Sequence, residues 1–144
     1  MQTFLPHPNF EQSIRCLDWR RLGNQRREAL QIFNVVSGIN PNSRWRNHPA
    51  VKMWMGYAGA IAHYMNLCIE EWIRRGYNNN MHIHPLDVYK MQYPPWLGTE
   101  VLHASHRSNL LRKDPVWYGQ FGWTESDYLP YYWPTHNISE NNNL

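Results

Sequence analysis

The sequence predicts an all-α fold. The chain should form a single compact domain of about three main helices, with an extended N-terminal arm and aromatic-rich C-terminal turns. Three long segments repeat apolar residues with the helical period. No strand-like alternation lasts more than a few residues, and the sequence contains no internal repeat. The length of 144 residues fits one domain. We expect this domain to span residues 1–136, followed by a polar, disordered tail at residues 137–144.

The first helix is predicted to follow a short N-terminal arm. Residues 1–9 contain two prolines and therefore favour an extended conformation. A helical pattern runs from residue 10 to residue 37, and Gly38 ends it. Gly23 lies inside this pattern, so we expect it to kink the helix or split it in two.

Two further helices are predicted in the middle of the chain. Pro49 has the position typical of a first helical residue, and the helix it opens should cover residues 50–75, with Gly76 as its stop signal. Residues 78–95 are polar and bounded by prolines, which predicts a loop. The third helix should cover residues 100–113.

The charged residues favour an anionic partner. The net charge is +3, and only three of the 14 basic residues are lysines. Arginine binds phosphate through two parallel hydrogen bonds and stacks on bases, so this composition favours nucleic acid. An ordinary basic surface would explain the charge equally well. Aromatic residues make up 15% of the chain, and tyrosine and tryptophan suit wet sites as well as cores.

The cysteine pattern predicts a reducing environment. The two cysteines, Cys16 and Cys68, form neither a disulfide framework nor a zinc spacing. The sequence shows no signal peptide and no long apolar run. We therefore expect a cytoplasmic monomer that needs no cofactor and no metal and has no membrane partner.

The first helix combines a cationic stripe with charges on its apolar side. On a helical wheel, one side carries polar residues, namely Arg20, Asn24, Arg27 and Gln31. The opposite side carries Leu22, Ala29 and Phe33, and Asp18 and Arg26 project toward this apolar half. A buried charge must be paired. Two interpretations stay open: an ion pair that fixes helix packing, or the floor of a pocket.

Glu28 lies at the border of the cationic stripe. The neighbouring guanidinium groups of Arg20, Arg21 and Arg27 would keep its carboxylate ionised. Such a carboxylate could act as a general base or stabilise a developing positive charge. The alternative is a surface ion pair, which contributes less than about 1 kcal/mol.

Two other segments carry candidate binding residues. The loop around Trp45 contains Arg44, Arg46 and His48, which is typical of a phosphate-and-base platform, although a loop capped by tryptophan is the alternative. His103 and His106 share one face of the third helix. They could contact a phosphate, line a pocket or serve the fold. A metal site would lack a third ligand.

The chain resembles the pyrimidine dimer DNA glycosylase family (endonuclease V-type) in three places, namely the segments "CIEEWIRRGYN" and "LHASHRSNLLRKDPVWYGQFG" and the arginine-rich first helix. Within this family it is most similar to a separate bacterial and viral branch. The resemblance implies a helical bundle whose N-terminal α-amine attacks the sugar C1′, expels the base and forms a Schiff base. Strand cleavage by β-elimination can follow. A nearby glutamate assists, and arginine side chains hold a kinked duplex.

By this resemblance, Met1 supplies the nucleophilic amine, and Glu28 or Asp18 supplies the carboxylate. The pKa of an α-amino group is about 7.7–8.0, against about 10.4 for lysine, so far more of it is neutral and nucleophilic near pH 7. The expected activity is that of a DNA glycosylase, with AP-lyase activity as an extension, which excises a damaged or modified base from duplex DNA.

The DNA-binding side chains implied by the composition and the resemblance lie in three segments. They are Arg20, Arg21, Arg26, Arg44, Trp45, Arg46, His48, His103, His106, Arg107, Asn109, Lys113, Trp117 and Tyr118. Trp45 or Trp117 would support an extruded base. One alternative is a non-catalytic module that binds DNA or RNA on the same scaffold. Another is an enzyme that acts on a small anionic glycosidic substrate.

Overall fold

The computed structural model describes residues 1–134, in which all regular structure is helical. The predicted all-α class is confirmed. The predicted tail at residues 137–144 and the predicted domain end lie outside the described residues. None of the helices in this range has the length and apolar character needed to span a bilayer. In chain order the helices are α1 (Phe10–Cys16), α2 (Trp19–Val36), α3 (Pro49–Lys52), α4 (Ala58–Arg74), α5 (Glu100–Lys113) and α6 (Pro115–Tyr118), followed by a 3₁₀ turn (Gly119–Phe121).

The first predicted helix is broken, but not at Gly23 as expected. Leu17 and Asp18 adopt extended backbone angles between α1 and α2, with ψ of 136° and 164°. Gly23 continues α2 without interruption. A Cβ atom at this position would lie 3.1 Å from the ring of Trp72, so glycine allows α4 to approach α2 closely.

The second predicted helix is also divided in two. Pro49 opens α3 as predicted, and the side chain of His48 caps it by accepting from the N–H of Ala50. Gly56, with a φ of +89°, separates this single turn from α4. A residue in the left-handed region ends a helix because it cannot continue the right-handed turn. The predicted stop at Gly76 is confirmed by its φ of +91°, and α5 has the predicted bounds.

The hydrophobic core lies between α2 and α4, which pack along each other. The predicted wheel of the first helix is confirmed on both sides. Its polar stripe is exposed, whereas Leu22, Ala29 and Phe33 are fully buried. Asp18 and Arg26 are buried as well, at 5% and 4% exposure.

The N-terminal arm is extended and runs through the interior of the domain. Residues 3–6 are buried, and Leu5 is completely inaccessible. A buried extended segment needs partners for its backbone groups. Two histidines of α5 supply them at Leu5, because His106 Nδ1 accepts from its N–H at 2.9 Å and His103 Nδ1 donates to its carbonyl at 2.7 Å. The tautomer of His103 follows from its other nitrogen, which accepts from the N–H of Gly98.

Acid should release this arm. Burial, with a smaller contribution from His103, lowers the pKa of His106 from 6.5 to about 3. The folded protein therefore keeps His106 neutral, while the unfolded chain binds a proton below pH 6.5. The free energy of unfolding should fall as the pH drops from 6.5 toward 3, by up to about 1.4 kcal/mol per pH unit from this group. Urea unfolding between pH 6.5 and pH 5, where carboxylates remain ionised, measures the slope.

The matched variant for this measurement is His106→Gln, whose amide oxygen can still accept from the N–H of Leu5. The slope of this variant between pH 6.5 and pH 5 should be shallower by up to about 1.4 kcal/mol per pH unit, while His7, His48 and His103, whose pKa is also lowered, supply the slope that remains. Equal slopes in the two proteins would mean that His106 does not couple the arm to pH.

Candidate active site

Gln25 fixes the start of the chain against α2 and α4. Its amide is 1% exposed, and its Oε1 accepts from the N–H of Phe4 at 2.9 Å and from the hydroxyl of Tyr64 at 2.6 Å. Its Nε2 donates to the carbonyl of Gln2 and to Glu28 Oε2, both at 2.9 Å. One buried side chain therefore sets the position of the N-terminal backbone relative to a carboxylate.

Glu28 receives a second hydrogen bond from the chain start itself. The backbone N–H of Gln2 donates to Glu28 Oε2 at 3.3 Å. The α-amine of Met1 belongs to the preceding residue, so the chain start and the carboxylate are neighbours. Because Glu28 is partly exposed, it stays accessible to a ligand.

A pocket of about 270 Å³ opens at this point, and cations form its rim. Arg20 and Lys113 are exposed, and Arg21 is partly exposed, so positive charge surrounds a floor that contains Glu28. Positive groups around a concave site concentrate anionic ligands there. The complete lining is Gln2, Phe4, Arg20, Arg21, Asn24, Gln25, Glu28 and Lys113.

An aromatic cluster surrounds His48, the residue that caps α3. The ring of His48 is 5.7 Å from that of Trp45 and 5.8 Å from that of Trp133, and Tyr131 packs on Trp133 at 4.5 Å. Burial and, to a smaller extent, the positive charge of the chain N-terminus lower the pKa of His48. The cluster extends outward to Arg44, whose guanidinium lies 4.9 Å from the centre of Trp45.

Tyr131 connects these rings to α5. Burial and then the negative charge of Glu28 raise the pKa of the Tyr131 hydroxyl. Its ring stacks on His106 at 4.9 Å with an interplanar angle of 21°. Tyr131 thus packs against both His106 of α5 and Trp133 of the aromatic cluster.

Asp18, the other candidate carboxylate, is held by structural partners. Its Oδ1 accepts from the hydroxyl of Tyr118 at 2.5 Å, and its Oδ2 pairs with Arg21 at 3.2 Å. Burial, followed by the hydrogen bond to Asp18, raises the pKa of Tyr118. Asp18 thus joins the α1–α2 junction to α6, and Glu28 is the better placed carboxylate for chemistry.

Several side chains that we expected at the DNA surface lie in the interior. Arg26 is buried, contacts the face of Trp72 at 4.4 Å and donates to Asn79 at 2.9 Å. A phosphate cannot reach such a group without displacing its partners. The same holds for the buried residues His103, His106, Asn109 and Tyr118, so we leave all five out of the proposed DNA-binding surface.

The side chain of Arg107 also stabilises the fold and is not free to bind DNA. Its guanidinium donates to the carbonyl of Pro6 at 2.8 Å and pairs with Glu100 and Glu125. Its charge is therefore used to hold the arm. In contrast, Arg44 and Arg46 are exposed as expected. Trp117 is exposed as well, and its indole N–H donates to the carbonyl of Cys16.

The sequence did not identify Gln2, Gln25, Tyr64, Tyr131 or Trp133 as site residues. The spacing of Gln25 and Glu28, three residues apart on one helix, was a usable signal because such side chains are neighbours. Tyr64 looked like any core aromatic residue. Tyr131 and Trp133 lie in an irregular segment, where no periodicity indicates which side chains point inward.

Replacing Gln25 with Leu should destabilise the fold by about 2 to 4 kcal/mol. The substitution leaves the N–H of Phe4 and the carbonyl of Gln2 without partners, and each buried unpaired group costs about 1–3 kcal/mol. Gln31→Leu, on the exposed face of the same helix, is the matched control and should change stability little. Chemical denaturation of both variants tests this, and a Gln25→Leu protein as stable as wild type would contradict the anchoring role.

Residues 1–85 match the protein family described as pyrimidine dimer DNA glycosylase. No curated protein and no solved structure matches the chain. The matched range contains the arm, α1 to α4, and the pair formed by Gln2 and Glu28. Because the match covers more than half of the sequence and the fold is helical, this chain belongs to the pyrimidine dimer DNA glycosylase family.

Proposed function

We propose that this DNA glycosylase excises a damaged or modified base from duplex DNA through a Schiff base on the α-amine of Met1, with Glu28 as the assisting carboxylate, and that AP-lyase activity follows. The observation that supports this proposal is the hydrogen bond from the N–H of Gln2 to Glu28 at the floor of a cationic pocket. It brings the residue that follows Met1 to an accessible carboxylate, and this supports covalent catalysis by the neighbouring α-amine.

In the first step, the lone pair of the neutral α-amine attacks C1′ of the target nucleotide. The bond between C1′ and the base breaks, and the base leaves with the electron pair and takes up a proton. The amine nitrogen loses a proton as the sugar ring opens to the Schiff base. Glu28, as a negative carboxylate beside C1′, stabilises the positive charge that develops on the sugar and transfers protons.

In the lyase step, a base removes a proton from C2′ of the Schiff base. The electron pair forms a double bond between C2′ and C3′, and the bond from C3′ to the phosphate oxygen breaks. Water then hydrolyses the Schiff base and regenerates the amine. Glu28 is the accessible carboxylate at the pocket floor and is therefore the proposed proton acceptor.

Arginine and lysine side chains at the rim would hold the phosphates on either side of the target. Arg20, Arg21 and Lys113 line the pocket, while Arg44 and Arg46 extend the positive surface past Trp45. A nucleotide must leave the base stack before its C1′ can reach the amine. We propose that Trp45, which is partly exposed and carries the guanidinium of Arg44 over its ring, stacks on the extruded base.

The test is an incision assay on a duplex with one abasic site, together with a panel of duplexes that carry single damaged or modified bases. The proposal predicts cleavage of the abasic strand and release of free base from at least one member of the panel. Salt-dependent binding without incision or base release would instead support a non-catalytic module.

A further inference from the structure

Three exposed apolar side chains follow or precede, within four residues along the chain, the cations that line the pocket. Trp19 is 54% exposed, Val116 is 89% exposed and Trp117 is 38% exposed. Single exposed apolar residues are common, but a group of large ones next to a charged site marks an interaction surface. We call Trp19, Val116 and Trp117 the apolar edge.

The docking of α6 on the α1–α2 junction brings together the two chain segments that carry these residues. The indole N–H of Trp117 donates to the carbonyl of Cys16 at 2.8 Å, and the hydroxyl of Tyr118 donates to Asp18. Trp19 directly follows Asp18, and Val116 directly precedes Trp117. The apolar edge is therefore assembled from two distant parts of the chain.

The apolar edge is held rigidly. Asp114 caps α6 by accepting from the N–H of Trp117 at 3.0 Å, and Pro115 occupies its first position. Trp19 begins α2 directly after Asp18, whose carboxylate is held on both oxygens. A surface whose backbone is already fixed loses less entropy on binding than a flexible loop would.

The surrounding charge identifies the partner as a polyanion with stacked bases. The guanidinium of Arg20 lies 5.4 Å from the centre of the Trp19 ring and also lines the pocket. Lys113, at the end of α5, lines the same pocket close in sequence to Val116. Cations next to stacking surfaces complement the phosphates and the bases of DNA at the same time.

We propose that the apolar edge inserts into the duplex at the base step next to the extruded nucleotide, with Trp19 stacking on a base and Val116 as the leading side chain. This inference rests on the proposed function, since it takes DNA as the substrate. Apolar side chains that enter a base step unstack it and kink the duplex. The apolar edge would hold open the gap from which the target nucleotide leaves.

The experiment uses a duplex with a tetrahydrofuran abasic analogue and a fluorescent 2-aminopurine at the adjacent step. The fluorescence of 2-aminopurine should rise when wild-type protein binds, because unstacking relieves its quenching. Trp19→Ala and Val116→Ser should each lose this rise and weaken binding by about tenfold. Val88→Ser is the matched control, since Val88 is 70% exposed and next to Tyr89, which packs on Phe33 in the C-terminal half of α2.

A second duplex separates insertion from general contact. When mismatches on both sides of the abasic analogue open the step beforehand, binding by the two variants should recover toward that of wild type. Variants that retain the fluorescence rise and the wild-type affinity would overturn the proposal, as would an equal loss in Val88→Ser. If wild-type protein cleaves no substrate but still gives the edge-dependent signal, the proposed chemistry fails while the insertion stands.

Discussion

Base release and strand incision should fall by about 100- to 10,000-fold in the Glu28→Gln variant. The substitution keeps the size of the side chain and one oxygen that can accept from Gln25. In the proposed mechanism it removes the negative charge beside C1′ and replaces the group that moves protons in both steps. The measurement is single-turnover incision of an abasic duplex, because it reports the chemical step without product release.

Binding should distinguish lost chemistry from a lost fold. Glu28 is partly exposed, so Glu28→Gln should unfold at nearly the same denaturant concentration as wild type and should bind the duplex at least as tightly. Glu70→Gln, at an exposed position of α4, is the matched control and should cleave at the wild-type rate. If Asp18→Asn abolished incision while Glu28→Gln remained active, Asp18 would be the catalytic carboxylate instead.

Blocking the α-amine of Met1 should abolish incision and leave DNA binding almost unchanged. An acetylated amine has no available lone pair and cannot form a Schiff base. Another amine cannot take its place by a shift of the arm, because hydrogen bonds to the backbone of Gln2, Phe4 and Leu5 fix the position of the residues that follow Met1. Incision and affinity measured on protein with an acetylated N-terminus test it.

A one-residue extension before Met1 tests the position of the nucleophilic amine without removing the amine. It displaces the nucleophile by up to about 3.5 Å, and a misplacement of this size should lower the incision rate by about 100-fold or more. A one-residue extension at the C-terminus is the control. Full activity in the N-terminally extended protein would show that the chain start is not the nucleophile.

The helix faces were predictable, while the helix breaks were not. Periodicity alone identifies Leu22, Ala29 and Phe33 as the buried side of α2, since each helical face repeats within the local sequence. The break at Leu17 and Asp18 depends on α6, because Trp117 donates to Cys16 and Tyr118 donates to Asp18. Contacts between residues so distant in sequence leave no local pattern to read.

The two histidines of α5 show how far the roles of individual side chains can be predicted from the sequence. Their shared face follows from the spacing of His103 and His106, but the spacing does not say what that face meets. In the structure it meets the backbone of Leu5, so the two rings anchor the arm. Glu28 was identified by its cationic neighbours and the family resemblance, whereas its hydrogen bond to the chain start is a tertiary contact with no sequence signature.

The most direct test of the account is borohydride trapping on an abasic duplex, followed by proteolysis and mass spectrometry of the peptide that carries the sugar. Borohydride reduces a Schiff base to a stable secondary amine, so the modified residue is the nucleophile. The intact mass of the starting protein establishes which residue begins the chain. We expect the sugar remnant on the α-amine of Met1. A remnant on Lys113 at the pocket rim, or no adduct at all in a protein with a free N-terminus, would contradict the account.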